Sequence, residues 1–110
     1  MTDQNTAQRK SRRELLEAFV AQKPDDAFSR YGLALECMKS GDVTAAEAHF
    51  RELLERNSGY VPAYQMFAQM LVKQARPEDA RQVLERGIAA ASRAGNAHAQ
   101  SEMEALLAEL

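Results

Sequence analysis

The chain has 110 residues, which fits one domain, and its 45% hydrophobic and 27% charged residues are typical of a globular protein. Its formal net charge of −2 lacks the basic excess of a nucleic-acid-binding domain. The polar start argues against a secretory signal, and no run approaches the roughly 20 apolar residues that span a bilayer. The single cysteine, Cys37, cannot form an internal disulfide, which suits a reducing compartment. We therefore expect a cytoplasmic protein without a nucleic-acid or membrane partner.

The first part of the chain contains a tail and one helix. Residues 1–10 show no apolar periodicity, which predicts a disordered tail. Ser11 and Glu14 form a capping-box pair, so a helix is expected from there to just before Pro24. Its apolar residues recur at helical spacing: Leu15, Leu16, Phe19 and Val20.

Two more helices are predicted before residue 60. The second covers residues 26–39 and stops at the Ser-Gly pair that follows, and the third ends near residues 57–59. The residues that can cap them are Asp25 or Asp26 for the second helix, and the capping-box pair Thr44 and Glu47, or alternatively Asp42, for the third.

Prolines mark the starts of the next two helices, because a missing N–H costs nothing in the first helical turn. Pro62 begins a fourth helix that runs to about Gln74, and Pro77 begins a fifth that runs to about Arg93. A final helix follows Gly95 and carries four large apolar residues: Met103, Leu106, Leu107 and Leu110. No alternating strand pattern is present, so the sequence predicts an all-α protein with about six helices.

Similar side chains recur along the chain at a fixed spacing of 34 residues. Ala34 recurs as Ala68 and Ala46 as Ala80, which places small residues where two helices cross closely. Larger residues recur at the same separation: Leu33 as Phe67, Cys37 as Leu71, Phe50 as Leu84 and Leu54 as Ile88. The recurrence indicates a repeated helix–turn–helix unit.

This pattern resembles the tetratricopeptide repeat, a family of 34-residue helix–turn–helix units. The second unit carries the matching residues Tyr64, Phe67, Ala68, Leu71, Ala80 and Leu84. The first unit departs from the family at Arg30, where a large aromatic residue is expected, and Ser58 and Ser92 replace the closing proline. The resemblance implies an α-solenoid of antiparallel helix pairs with right-handed superhelical stacking. It divides the single domain 11–110 into a half repeat (11–24), two repeats (27–60 and 61–94) and a capping helix (95–110).

The sequence has few residues in arrangements that are typical of catalytic sites. The two histidines, His49 and His98, are far apart, and no cluster has metal-ligand spacing. No glycine-rich phosphate loop is present, and Cys37 occupies a core position of the repeat. We therefore expect no enzyme activity, no metal and no cofactor.

A basic cluster precedes and opens the first helix: Arg9, Lys10, Arg12 and Arg13. It could contact nucleic acid or an acidic partner. The acidic balance of the whole chain favours the simpler interpretation, a soluble and flexible entry to the helix.

The resemblance also implies a binding site, because repeats of this family line a concave groove with the first helix of each unit. The residues that would face a ligand there are Phe28, Tyr31, Leu35, Met38 and Lys39 on the second helix, and Gln65, Gln69, Val72 and Lys73 on the fourth. The predicted function is a protein- or peptide-binding adaptor module.

Two alternatives concern the apolar stripe formed by Phe28, Tyr31, Leu35 and Met38. The first helix can cover it, through Leu15, Phe19 and Leu16, or the stripe can stay partly free, because the half repeat lacks its own first helix. A free stripe can take a peptide or a second copy of the protein. The alternative function is therefore a homo-oligomerising structural module, a homodimer paired through the exposed first-helix edge.

Overall fold

The computed structural model describes residues 10–110, and this part of the chain is six α-helices joined by short turns, without a β-strand. The helices are α1 (Arg12–Gln22), α2 (Ala27–Lys39), α3 (Val43–Arg56), α4 (Val61–Lys73), α5 (Pro77–Arg93) and α6 (Ala97–Ala108). The predicted all-α fold is confirmed. None of these helices is long and apolar enough to cross a membrane. The predicted disordered tail, apart from Lys10, lies outside the described residues.

Polar side chains fix the starts of four helices. The predicted capping box is present in α1, where the Ser11 hydroxyl accepts from the Glu14 amide at 3.1 Å and the Glu14 carboxylate accepts from the Ser11 amide at 3.0 Å. Single side chains cap α2, α3 and α6: Asp26, Asp42 and Asn96. Of the two caps that the sequence allowed for α3, the structure therefore uses Asp42 and not the Thr44 pair.

The helices stack as antiparallel pairs in chain order. Helix α2 packs against α3 and α4 against α5, while α1 packs on α2, and α6 packs on α5 and α4. The array measures 56 × 28 × 20 Å, so its length is twice its width. An elongated array leaves a distinct helical surface at each end, and these two surfaces are built differently.

The predicted small and large residues form the core. Ala34, Ala46, Ala68 and Ala80 are all fully buried at the helix crossings. The rings of Phe50 and Phe67 stack with their centroids 5.3 Å apart and join the two helix pairs. Cys37 is likewise fully buried, as its repeat position predicted, and burial raises the pKa of its thiol.

One side-chain hydrogen bond also recurs, at the same position in each helix pair. The Tyr64 hydroxyl donates to the carbonyl of Ser58 at 2.7 Å. Arg30 stands one repeat before Tyr64, and its Nη2 donates at 3.1 Å to the carbonyl of Pro24, which stands one repeat before Ser58. Arg30 therefore makes the hydrogen bond of the aromatic residue it replaces, although its Nε has no partner and the residue is only 8% exposed.

Ion pairs at equivalent positions of the repeat connect neighbouring units. Arg13 on α1 contacts the Asp42 carboxylate at 2.9 Å. The residues one repeat later, Glu47 and Arg76, form the same bridge with the charges exchanged, at 2.7 and 3.1 Å. Hydrogen bonds from Arg76 lower the pKa of Glu47 to about 2. The repeat therefore preserves the contact and reverses its polarity.

Candidate functional site

An apolar cleft lies between α1 and α2, with a volume of about 520 Å³. We call it the N-terminal cleft, and its lining residues are Arg12, Leu15, Leu16, Phe19, Asp26, Phe28, Ser29, Tyr31, Gly32 and Leu35. Within residues 10–110, the large hydrophobic side chains that are exposed all belong to it: Leu15 (58%), Phe19 (44%) and Phe28 (76%). Contiguous exposed apolar side chains mark an interaction surface, whereas scattered ones do not.

The cleft exists because α1 packs on α2 with one side only. Val20 is buried, and Leu16 approaches Gly32, where an added Cβ would lie 3.6 Å from the Leu16 Cδ2 atom. Leu15 and Phe19 lie on the neighbouring side of the helix and stay exposed. Of the two alternatives for the apolar stripe, the structure therefore combines parts of both: Leu16 covers α2 locally, and Leu15 and Phe19 add to the open surface.

Tyr31 and Leu35 are the half-buried part of this surface. The Tyr31 ring lies against the ring of Tyr60 at the start of α4, with centroids 5.3 Å apart and planes tilted by 53°. Burial, followed by the neighbouring Tyr60, raises the pKa of the Tyr31 hydroxyl. The Tyr31 side of the cleft is therefore packed against the start of α4.

Charged residues border the cleft at its two ends. The Arg12 guanidinium, 74% exposed, contacts Glu36 near the end of α2 at 3.3 Å. At the other end, Asp26 accepts from the Ser29 amide at 3.0 Å, and this hydrogen bonding lowers its pKa. The Nζ of Lys23 lies 5.8 Å from the centre of the Phe19 ring.

A second cleft, of about 430 Å³, lies between α4 and α6. Its lining residues are Gln65, Gln69, Glu102, Met103, Ala105, Leu106 and Glu109. The Gln65 side-chain amide donates to the Glu102 carboxylate at 3.0 Å. Unlike the N-terminal cleft, this one is lined by side-chain amides, those of Gln65 and Gln69, as well as by carboxylates.

The structure divides the predicted groove residues into three sets. Phe28, Tyr31 and Leu35 line the N-terminal cleft, and Gln65 and Gln69 line the second cleft. The others border neither cleft: Met38, Lys39, Val72 and Lys73. Leu15 and Phe19 were expected from the sequence to cover the stripe and not to belong to the open surface. Gly32 was the signal in the sequence that could have shown this. Because Gly32 has no side chain, Leu16 can approach α2 there, which turns Leu15 and Phe19 away from α2.

Other candidate sites contain little chemistry. Across residues 10–110, no three His, Cys, Asp or Glu side chains come together in a way that could hold a metal ion. In the predicted basic cluster, Arg12 and Arg13 are paired with carboxylates, and Arg9 lies outside the described residues. His49 is half-buried, and its pKa is lowered first by burial and then by the charge of Arg30.

Comparison with known proteins gives consistent matches. The sequence pattern of the tetratricopeptide repeat matches residues 37–110. A TPR repeat-containing protein of Pseudomonas aeruginosa is 29% identical over 97 residues, which cover 88% of this chain and 92% of that protein. The solution structure of a Bordetella parapertussis protein superimposes with a TM-score of 0.76 at 29% identity, covering 92% of this chain and 88% of that one. A tetratricopeptide repeat domain protein of Salinibacter ruber gives a TM-score of 0.74 at 31% identity, covering 78% and 87%. The likeness therefore includes both the sequence and the helix arrangement.

Proposed function

Because this chain belongs to the tetratricopeptide repeat family, whose members are in general non-enzymatic scaffolds for protein interactions, we propose that it binds a polypeptide at the N-terminal cleft. The observation that carries this proposal is the clustering of Leu15, Phe19 and Phe28, the exposed large hydrophobic residues of the described chain, around one cleft. Burying them against a partner removes apolar surface from water, which is the main driving force of association.

The chemistry of the cleft defines the ligand class. Its exposed aromatic rings offer a large apolar area with few rotatable bonds, and Tyr31 is already held by Tyr60. Arg12 lies at one end of the cleft and Asp26 at the other, and Lys23 lies beside the Phe19 ring. A polypeptide with an apolar stripe of about three helical turns fits this arrangement, since α1 and α2 have 11 and 13 residues.

The wider concave groove is a secondary proposal. A peptide that also reached α4 would meet Gln65 and Gln69, whose amides can hydrogen-bond to an extended backbone, and it would compete with the Gln65–Glu102 contact. The adaptor role and the cytoplasmic location stay predictions.

Photo-cross-linking tests the N-terminal cleft directly. A photoreactive phenylalanine analogue replaces Phe28 in the full chain, and a matched protein carries it at Ala89, an exposed position on α5. We expect defined cross-linked adducts from position 28 and none from position 89, resolved by mass spectrometry. Equal labelling from both positions would contradict the proposal. Gln69→Ala in the same assay shows whether the second cleft takes part, because its loss reduces the adducts only if the ligand extends to α4.

A further inference from the structure

We infer that the occupant of the N-terminal cleft is an amphipathic helix of a different protein, which packs on α1 in the position and direction that α2 takes on α3. This inference rests on the proposed function of the cleft as a protein-binding surface. It adds the form of the ligand, its direction and the pattern of its apolar residues. The basis is the repeat itself, because the chain fills the equivalent position twice with helices of its own, α2 on α3 and α4 on α5.

The exposed side of α1 corresponds to the side that a partner helix covers in the later units. Phe19 stands one repeat before Leu53 and two repeats before Gly87. Gly87 lies directly against the partner helix, since an added Cβ would come within 2.6 Å of the Tyr64 Cβ, and Leu53 is 1% exposed. Phe19 is 44% exposed, so α1 presents a large apolar side chain at this position and no other helix of residues 10–110 buries it.

The other side of α1 already makes the contacts of the later units. Leu16 stands one repeat before Phe50, and it approaches Gly32 of the following unit as Phe50 stacks on Phe67 of the following unit. Val20 is buried on this side as well. Helix α1 is therefore packed on the unit that follows, and the contact with a helix of its own unit is the one that stays open.

The same equivalence sets the direction of the occupant. In the later units the end of the first helix meets the start of the second, as the 2.9 Å hydrogen bond from the Asp42 amide to the Cys37 carbonyl shows. An occupant in the equivalent position ends near Arg12, at the start of α1. It therefore runs antiparallel to α1 and parallel to α2.

The charged residues of the cleft agree with this direction. Arg12 stands where the later units have a buried alanine, so the end of the occupant lies further from α1 than α2 lies from α3. The Arg12 guanidinium, 74% exposed and 3.3 Å from Glu36, lies where the free carbonyls of the last helical turn come, and a cation is favourable there. At the other end the opposite charges of Lys23 and Asp26 offset each other, so the contact is mainly apolar.

The helices that fill the equivalent places show which side chains the occupant needs. Both bury a large apolar residue, an alanine directly after it and an apolar residue three positions after the alanine. A second folded copy cannot supply this pattern, because its own α2 and α4 already use it in their pairs, so the occupant is a helix of a different protein. The residues of the pattern, each at most 1% exposed, are Leu33, Ala34 and Cys37 in α2, and Phe67, Ala68 and Leu71 in α4.

A synthetic peptide with the sequence of α2, residues 24–40, tests the inference on the full chain. Because a free peptide of this length is barely helical, a lactam bridge between positions 31 and 35, which lie outside the pattern, holds it in a helix. Fluorescence anisotropy should show binding in the micromolar range. Leu33→Ala in the peptide should weaken binding by about ten-fold or more, since it removes the large residue of the pattern. Glu36→Ala, a matched change outside the pattern, should leave binding unchanged.

Variants of the protein locate the bound peptide. Phe19→Ala should weaken binding by about ten-fold, and Ala89→Glu on exposed α5 should leave it unchanged. Phe19 is 44% exposed, so its substitution keeps the fold, which a circular dichroism melt verifies. A nitroxide on the last residue of the peptide should broaden the amide NMR signals of residues 11–13, and one on the first residue should broaden those of residues 22–26.

Three results would overturn the inference: no binding of the bridged peptide at millimolar concentration, binding that survives Leu33→Ala or Phe19→Ala, or broadening at the opposite ends. A dimer of the free chain that Phe19→Glu abolishes in sedimentation velocity would assign the cleft to a second copy instead. The proposed function stays decidable in each case. Defined adducts from position 28 without peptide binding keep the cleft as a binding surface and remove only the helical ligand, whereas the absence of both removes both.

Discussion

The two ends of the helical array differ in how far their apolar side chains are buried. At the α6 end, Met103 of the last helix packs inward and is 1% exposed, and Ala99 is also buried. At the α1 end, Phe28 is 76% exposed beside an apolar cleft. Each unit of an α-solenoid buries its apolar face against a neighbour, so an end without a neighbour has to be covered or used. The chain covers one end with its own helix and leaves apolar side chains exposed at the other, where we propose that a partner binds.

The largest effect expected from this comparison is the loss of the covering helix. Truncation after Gly95 removes α6 and exposes the faces of α4 and α5 that it covers, including buried Gly87, which lies against Met103. About two and a half units then remain, fewer than the three that an array usually needs. We expect a largely unfolded chain, measured as the loss of a cooperative circular dichroism melt.

Removal of residues 1–23 is the matched truncation at the other end. Helix α1 fully buries only Val20, so its loss should lower the melting temperature and keep a cooperative transition. The claim that α6 stabilises the array more than α1 does would be contradicted by an unchanged cooperative melt after truncation at Gly95. A greater loss of structure on removing α1 would also contradict it.

Two helical glycines, one near each end of the array, differ in the space that surrounds them. A Cβ at Gly87 would lie 2.6 Å from the Tyr64 Cβ and 2.7 Å from the Met103 Sδ, whereas one at Gly32 would meet Leu16 at an ordinary 3.6 Å. Gly87→Ala should therefore destabilise the protein by about 2 kcal/mol, because the clash outweighs the gain in helix propensity. Gly32→Ala should stabilise it by about 0.5–1 kcal/mol. Urea unfolding measures both, and equal shifts of the midpoint would show that the two ends are packed alike.

The reversed ion pairs extend the comparison to electrostatics. Glu47 accepts two hydrogen bonds from Arg76, and its side chain is 21% exposed, whereas the Arg13–Asp42 bridge has one such bond and a carboxylate that is 43% exposed. The pKa of Glu47 falls from 4.5 to about 2, so its stabilising effect is complete above pH 4.5 and disappears as the pH falls through about 2. Glu47→Gln should cost about 1 kcal/mol at neutral pH.

Thermal melts from pH 7 down to pH 2 measure this dependence. The difference between wild type and Glu47→Gln should narrow below pH 4.5 and vanish near the folded pKa of about 2. Arg13→Gln should give a smaller difference at neutral pH. A constant difference over the whole range would mean that the Glu47 charge is not responsible.

The sequence predicted the fold closely because its signals are local or periodic. The Ser11 capping box, the prolines at 62 and 77 and the regular spacing of the core alanines indicated the helices and the core. The cap of α3 stayed ambiguous because Asp42 and Thr44 both satisfy the local rule. The structure uses Asp42, whose other contact, with Arg13, is 29 residues away in the chain and invisible to a local rule.

The candidate site was predictable only in part. Phe28 and Tyr31 were recognised because α2 is apolar on two sides. The assignment of Leu15 and Phe19 depended on the rotation of α1 about its axis, which spacing alone does not determine, since Leu15 and Leu16 are adjacent on the same helix. Likewise, the separation of Gln65 from the apolar cleft follows from the position of α6 and its Glu102, a tertiary contact with no local signal.

The last prediction concerns Arg30, the residue of the α1 end that departs from the repeat. Its Nη2 makes the hydrogen bond to Pro24 that Tyr64 makes to Ser58, but its buried Nε lacks a partner. Arg30→Tyr should retain the hydrogen bond and remove the unpaired polar group, for a gain of about 1 kcal/mol in the free energy of unfolding. Arg30→Phe is the matched control, and it should gain less because the Pro24 carbonyl then loses its donor. If urea unfolding finds Arg30→Phe as stable as Arg30→Tyr, the hydrogen bond contributes nothing and the repeat position requires only an apolar ring. If both variants are less stable than the wild type, the guanidinium itself stabilises the α1 end, and the two helix pairs differ in a way that the register of the repeat does not capture.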